Sequence, residues 1–591
     1  MKNKIIIITG LIIAGLVSSC SDDFMDAPAK STLDESLIFS KPGLTKGAID
    51  GILEPMGQTN SYRGRFIPMY GSNTDTEYTY NSESAGNSTG ELAIYDAKFN
   101  NAQMNTSNNA WAMIYSGIER ANICIRGIRA YGNPEPGTEM GQYLGEALTL
   151  RALYYADLTK AWGDVIARFE PISAETIYIP KSSRDVIYKQ IIADLGEASN
   201  LVAWPNETNA TTSVERVNKA FVKGLRARLA MVASGYQQYP DGVRRSNDPE
   251  LSVSKMYTLA LNECKAIIAS GTVRLTPTFE GLWRNLMEED VTAGKESLWE
   301  IPFADGRGRV VYTYGVRHRS VDQHTGQGRG GSVGPLPTLF YDYDEADTRR
   351  DVTCVPYQWG TAVDGFSQQE LVDSKTWYFG KYRYEWMPRY VTSTNDDGIN
   401  KIYMRYAEVL LIAAEAANEL QGPAAAAPYL KEIRRRAFDP AYHSTKVDAY
   451  VNALGSKEAM LNAIIDEHKF EFTGEMERKQ ALIRWNLLGA NLAEAKVKLA
   501  ALKDRTGEYA DVPTTVYYKY AADNETLELY GFNRNENQDP GTDYSAVPWN
   551  SVDDVRINSL YKLDPDTRQF WPIWQVFIEG SNNTLTNDYG Y

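Results

Sequence analysis

Residues 401–420, KIYMRYAEVLLIAAEAANEL, constrain the fold more than any other stretch. No glycine or proline interrupts them, and strong helix formers fill them. At about 100° per residue, Glu408, Glu415 and Glu419 fall within about 40° of one another. Val409, Leu410, Leu411, Ile412 and Leu420 cover the remaining surface, together with Ala407, Ala413, Ala414, Ala416 and Ala417. The pattern predicts a helix over 401–420 that is nearly buried. Its alanines let neighbouring helices approach closely, and its carboxylates need cationic partners. Arg434, Arg435, Arg478 and Arg484 are the candidates.

Other segments read as partners for such a helix. Residues 45–53, 109–130, 141–162, 183–202, 218–234 and 254–270 carry helical periodicity. In the third of these, Arg151, Tyr155, Leu158 and Trp162 form one stripe, and Ser183 is placed to cap the fourth. Pro428 reads as the first residue of a further helix, and 456–485 as a third strong helical region. Small residues between successive helices point to stacked helical hairpins of a TPR-like kind, although the strict 34-residue consensus is absent. Residues 21–43 read as a tether with Pro28 and Pro42. Residues 57–109 and 271–400 lack helical period and read as irregular, the second with short strands. The tail, 505–591, is polar and aromatic.

Composition narrows the function. With a formal net charge of −15, the chain does not offer the clustered Lys and Arg that a nucleic-acid surface needs. The 38 tyrosines and 12 tryptophans are more amphipathic aromatics than a core requires, and they suggest a recognition surface. Lys2 and Lys4 precede an apolar run, Ile5 to Val17, that is shorter than the about 20 residues of a spanning helix. Residues 1–19 therefore read as a signal peptide, and 20–591 as a single mature domain. Small residues lead directly into Cys20, which Asp22 and Asp23 follow. This pattern resembles a bacterial lipobox, with Cys20 as the lipid anchor and the acidic pair as a surface-export signal. Multiple acyl chains would hold the protein stably at a membrane. The mature chain keeps three further cysteines, an odd count that excludes a full disulfide framework. Cys124 and Cys264 lie in amphipathic contexts as small hydrophobes.

Several motifs occur together and in order: NNAWAMIYSGIERAN, RALYYADLTKAWGDV, SSRDVIYKQIIADL, LWEIPF, DTRRD, MRYAEVLLIAAEAANEL, LKEIRRRA and EFTGEMERKQALIRW. With the lipobox and a terminal GY, they resemble the SusD/RagB family of outer-membrane nutrient-uptake lipoproteins of Bacteroidetes nearly end to end. Ala481, Ile573-Trp574 and Asn587-Asp588-Tyr589 depart from that family's usual residues. The resemblance implies a mainly α fold with four TPR-like hairpins and a large irregular, short-strand insertion. It implies a lipid-anchored lid over a SusC-like TonB-dependent transporter at the outer-membrane surface. It implies a glycan ligand, or a peptide in some members, with no enzymatic activity and no cofactor.

Sugar recognition needs aromatic faces against pyranose C–H groups and polar groups for hydroxyls. The resemblance places these in the early irregular loop and in the loop after IPF. Arg63, Tyr78, Tyr80, Asn81, Tyr312 and Tyr314 are the expected ligand-binding residues, with Arg317 and His318 nearby and Trp359 and Trp377 in a second rank. A glycosidase would need two facing carboxylates about 5–9.5 Å apart. Glu408 and Glu415 lie roughly 10.5 Å apart by helical rise. His318 and His324 lack a metal-ligand signature, and Asp342 to Glu345 lacks the glycine and terminal glutamate of a calcium loop. Residues 347–351 carry the family's structural D-x-RR pattern.

Overall fold

Short polar side chains start the long helices. Asn109, Thr138, Ser183, Asn218 and Ser456 each accept a hydrogen bond from a backbone N–H of the first turn that follows. In the computed structural model, which describes residues 34–64, 66–392 and 397–591, eight helices then stack in chain order. They are Ala110–Tyr131, Glu139–Trp162, Arg184–Leu201, Lys219–Ala233, Val253–Ser270, Tyr406–Gln421, Pro423–Ala437 and Lys457–Phe472, and each packs on the next. The result is the expected mainly α array of helical hairpins. Close approach is built in: a Cβ on Gly117 of the first helix would overlap the Tyr154 ring of the second. The leader, Cys20 and the acidic pair lie outside the described residues. No helix among the described residues is long and apolar enough to cross a membrane.

The third hairpin is interrupted. Between its helices, Val253–Ser270 and Tyr406–Gln421, the chain makes the long irregular excursion. The excursion is closed at its base by antiparallel pairing of Ser297–Ile301 with Lys401–Arg405. Here the structure corrects the reading of 401–420. The first five residues form a strand, and the helix begins at Tyr406. Arg405 is extended at φ −137° and ψ 163°, because its backbone belongs to the strand pair and its side chain to a buried charge network. Of the expected carboxylate partners, Arg484 is found and the other three are not. Glu408 pairs with Arg228, and Glu415 with Arg484 at 2.6 Å and with Tyr257 and Trp485. Arg434, Arg435 and Arg478 serve Glu467, Asp448 and Asp75 instead.

Other boundaries move for local reasons. Pro423 takes the first helical position, so Pro428 lies inside its helix. The tether is shorter than expected, since helix Glu35–Ser40 precedes helix Pro42–Leu53. Region 456–485 is two helices, parted where Gly474 adopts φ +93°. Helix Leu488–Asp504 was not anticipated. The tail holds a three-stranded antiparallel sheet of Thr515–Tyr520, Leu527–Tyr530 and Ser545–Pro548. Beyond it, Trp571 and Trp574 return to the first hairpin and meet Trp162 edge-on at 5.7 and 6.4 Å. Each such fully buried ring contributes about 2–3 kcal/mol by area, which ties the chain's end to its first helices. Cys124, Cys264 and Cys354 are buried and free.

Candidate functional site

Three segments far apart in sequence are joined edge to edge. Strand Glu77–Thr79 from the early loop pairs antiparallel with Val333–Pro335, with Tyr78 opposite Gly334. One step on, Tyr80 N–H donates to the Ser332 carbonyl at 3.2 Å, and Ser332 N–H donates to the Thr313 carbonyl at 3.0 Å. The early loop and the loop after IPF therefore lie side by side. A Cβ on Gly334 would collide with the Trp377 carbonyl and the Tyr80 hydroxyl, so the seam needs glycine there. Beneath it, Glu77 is fully buried and accepts N–H bonds from Gly474 and Met476, while burial pushes its carboxyl up to about 7.

The six expected residues divide. Tyr80, Asn81 and Tyr312 are half-buried and border solvent. The Tyr80 hydroxyl is engaged with the Trp377 backbone, and the Arg556 guanidinium lies 5.1 Å from its ring. Tyr312 has Arg309 over its ring at 5.5 Å, and its N–H donates to Asp397. The other three are structural, which corrects the expectation. Tyr78 is wholly buried, with Arg556 over its face at 4.4 Å and its hydroxyl bonded to Ser559. Tyr314 is 3% exposed and packs on Tyr382. Arg63 is buried and donates to Thr59 at 2.7 Å. Tyr78 and Tyr80 are two residues apart and lie on one side, their rings 5.9 Å from each other, and Arg556 covers Tyr78 more closely than Tyr80. The second-rank tryptophans are also interior. Trp359 stacks on His318, and Trp377 packs among Phe340, Phe532 and Trp549.

A groove of about 360 Å³ begins one residue after Asn81. Ser82, Glu83, Ser84, Asn87 and Glu91 form one wall; Asp554, Asn558, Ser559 and Lys562 form the other. Hydroxyls, amides and charges of both signs suit a ligand dense in hydroxyl groups. Arg556 braces the groove by bonding Glu83 at 2.7 Å while covering Tyr78 and Tyr80. A second cavity, of about 320 Å³, lies at the end of the IPF strand. In it, the Asn400 amide donates to both Glu215, at 3.0 Å, and Glu300, at 3.2 Å. Burial raises Glu300 to about 7.

Comparison with known proteins agrees with the helical architecture. The model of a family described as the SusD family matches residues 295–591, and one described as starch-binding, associating with outer membrane, matches residues 24–231. The chain belongs to the SusD family. It is 23% identical over 513 residues to SusD-like protein P25 of Formosa agariphila, covering 80% of this chain and 89% of that one. It is 26% identical over 421 residues to SusD-like protein P2 of the same organism, covering 67% and 75%. A SusD homolog of Bacteroides thetaiotaomicron superposes with a TM-score of 0.71 at 17% identity, over 94% of this chain and 98% of that one. Surface glycan-binding protein A of the same species, solved with laminarihexaose, superposes with a TM-score of 0.61 at 18% identity, over 92% and 99%.

Within this SusD fold, the far wall of the groove escaped sequence reasoning. Arg556, Asn558 and Lys562 come from the tail, more than 450 positions from Asn81. No local period or motif marks them, and the tail's polar, aromatic composition does not single them out.

Proposed function

We propose that this SusD-family protein captures an oligosaccharide at the cell surface and passes it to a SusC-like TonB-dependent transporter, with a lipid on Cys20 holding it to the outer membrane. What supports this reading most is one juxtaposition: half-buried Tyr80 and Tyr312 and the Asn81 amide on a seam that two loops build beside a groove with apolar stretches between hydroxyls, amides and charges. Rings there can lie against pyranose faces while groove side chains take the hydroxyls. Glu408 and Glu415, the carboxylates aligned on the central helix, are committed to Arg228 and Arg484. That fits a binding role without catalysis.

Calorimetry or affinity electrophoresis against a panel of oligosaccharides and peptides tests the proposal. At least one glycan should bind, and Tyr312→Ala and Asn81→Ala should each weaken it about three- to tenfold, the cost of about 0.7–1.4 kcal/mol for a stacking or hydrogen-bonding contact. Binding of peptides with no binding of any glycan would overturn it. The transporter step is tested by co-purification from membranes through a tag on this chain, and loss of surface labelling in a Cys20→Ala strain tests the anchor.

A further inference from the structure

The loop after IPF is unusually basic for so acidic a chain. Between residues 305 and 331 it carries Arg307, Arg309, Arg317, Arg319 and Arg329 against Asp305 and Asp322 alone. Neither aspartate is free to neutralise the loop. Asp305 pairs with Arg389 at 2.7 Å. Asp322 is buried, bonded to His318 Nδ1 at 2.7 Å, and accepts N–H bonds from His324 and Thr325.

The arginines are held out by a built hairpin. Arg319 N–H donates to the Trp359 carbonyl at 3.0 Å, and Trp359 N–H donates to the Arg317 carbonyl at 2.8 Å. His318, between them, points inward and stacks on the buried Trp359 ring at 5.8 Å. By strand alternation, Arg317 and Arg319 project together from the opposite face. His318 N–H donates to the Arg329 carbonyl at 2.8 Å, which brings the third arginine alongside. All three are exposed. Among the described residues, no carboxylate lies within ion-pair distance of Arg317 or Arg329, and Arg319 has only the equally exposed Glu370 at 3.3 Å.

Around these cations lie exposed apolar groups. Tyr390 is 47% exposed and Phe366 65%. The Tyr390 hydroxyl donates to the Asp322 carbonyl, and the Val363–Phe366 turn is held near Ser320 by the Ala362 N–H bond. In a chain of net charge −15, three exposed cations, of which Arg317 meets only the Tyr378 side chain and Arg319 only the exposed Glu370, gather next to open rings and describe a surface for an anion that also has an apolar face.

We infer that the oligosaccharide this protein selects is anionic, bearing carboxylate or sulfate groups that Arg317, Arg319 and Arg329 engage while Tyr390 or Phe366 takes a pyranose face. The inference rests on the glycan-binding reading above and names the class of glycan. Guanidinium forks match planar carboxylates and sulfate oxygens two bonds at a time, which a neutral hydroxyl does not exploit.

Matched pairs of oligosaccharides make the test: an oligouronate with its carboxyl-reduced form, and a sulfated galactan fragment with its desulfated form. Affinity is measured at 50 and 500 mM salt, with polyglutamate as a polyanion without sugar. The anionic member of one pair should bind at least tenfold more tightly, weaken at high salt and outbind polyglutamate. Which pair responds separates carboxylate from sulfate. The triple variant Arg317→Gln/Arg319→Gln/Arg329→Gln should lose roughly two- to fivefold per arginine toward that ligand. Its affinity for the neutral member should be unchanged, which also shows that it folds. Equal affinity within both pairs, polyglutamate binding as tightly, or an unaffected triple variant overturns the inference and leaves glycan binding standing. Failure of every glycan to bind overturns the underlying reading as well.

Discussion

Arg405→Met should destabilise this protein strongly, and more at high pH than at low. Arg405 is 1% exposed and pairs with Glu471 at 2.6 Å and with Glu296 and Glu475 at 2.8 Å. Around it, Arg349, Lys381, Arg434 and Arg436 pair with the same carboxylates and with Asp347 and Glu467. Five cations therefore balance five carboxylates in the interior, and removing one leaves an uncompensated buried negative charge. Breaking a buried pair in this way costs about 3–5 kcal/mol, a large part of the 5–15 kcal/mol typical of a folded protein. The charge has an escape. Burial alone would push Glu475 up, and Arg405 overrides that to hold it below the ordinary range. In the native protein Glu475 thus contributes stability above the unfolded carboxylate range that is lost as pH falls through its lowered value. Without Arg405 burial wins, so Glu475 takes a proton and the penalty shrinks at low pH. Urea unfolding followed by tryptophan fluorescence at pH 5.5 and pH 8 measures both effects. Arg405→Met/Glu475→Gln should recover about 1–3 kcal/mol relative to additivity. A loss below about 1 kcal/mol at pH 8, the size of an ordinary substitution, or no coupling with Glu475, would refute the reasoning.

Other expectations follow from single groups. Burial raises Glu300 from 4.5 to about 7. Its stabilising effect is therefore complete below about pH 4.5 and lost as pH rises through about 7, and Glu300→Gln should remove up to about 3 kcal/mol of that decline in a pH series of unfolding curves. Gly334→Ala should break the loop seam, since its Cβ strikes the Trp377 carbonyl and Tyr80; hydrogen exchange should rise first at residues 77–80 and 332–335 while the helical array stays protected. Glu415→Ala should strand Arg484 and cost about 3–5 kcal/mol by thermal or urea unfolding, without altering ligand affinity per folded molecule. Tyr78→Phe should leave glycan affinity unchanged, because the Tyr78 hydroxyl faces Ser559 in the interior; a loss as large as that of Asn81→Ala would reverse that assignment.

Periodicity and capping carried most of the fold. Ser183 caps the helix it was expected to cap, and the stripe Arg151, Tyr155, Leu158 and Trp162 is buried as one face. Reading failed where distant chain decides. KIYMR has adequate helix formers, yet a strand across the sheet offers it a ladder, and Arg405 is drawn into carboxylates some 66–109 positions away. The seam between the two loops was legible only as composition. Which tyrosine of the EYTYN segment meets solvent depends on what covers their shared side, and that cover comes from residues 332–335, 377 and 556–559. Arg556 illustrates the limit: one side chain braces the groove and buries Tyr78, and it sits in a tail with little helical period.

The architecture explains why scaffold and recognition are separable in this chain. The insertion between helices Val253–Ser270 and Tyr406–Gln421 leaves and returns through paired strands Ser297–Ile301 and Lys401–Arg405. The two helices pack together as though consecutive, so the array does not sense how long the excursion is. The charge network pins the same base, since Glu296 precedes one strand and Arg405 ends the other. Within the excursion, Asp347, Arg349 and Lys381 remain tied to the charge network, whereas exposed residues such as Arg317, Arg319 and Arg329 and half-buried Tyr312 are free to vary with the ligand at little cost to the helices. A chain in which a short glycine-serine linker replaces residues 305–331 should keep the helical array's far-ultraviolet signal. It should lose ligand binding, and it should expose the Tyr80 seam to faster exchange, because Ser332 loses its Thr313 partner. Collapse of the helical signal would mean that the loop is part of the scaffold, and that the base does not isolate it.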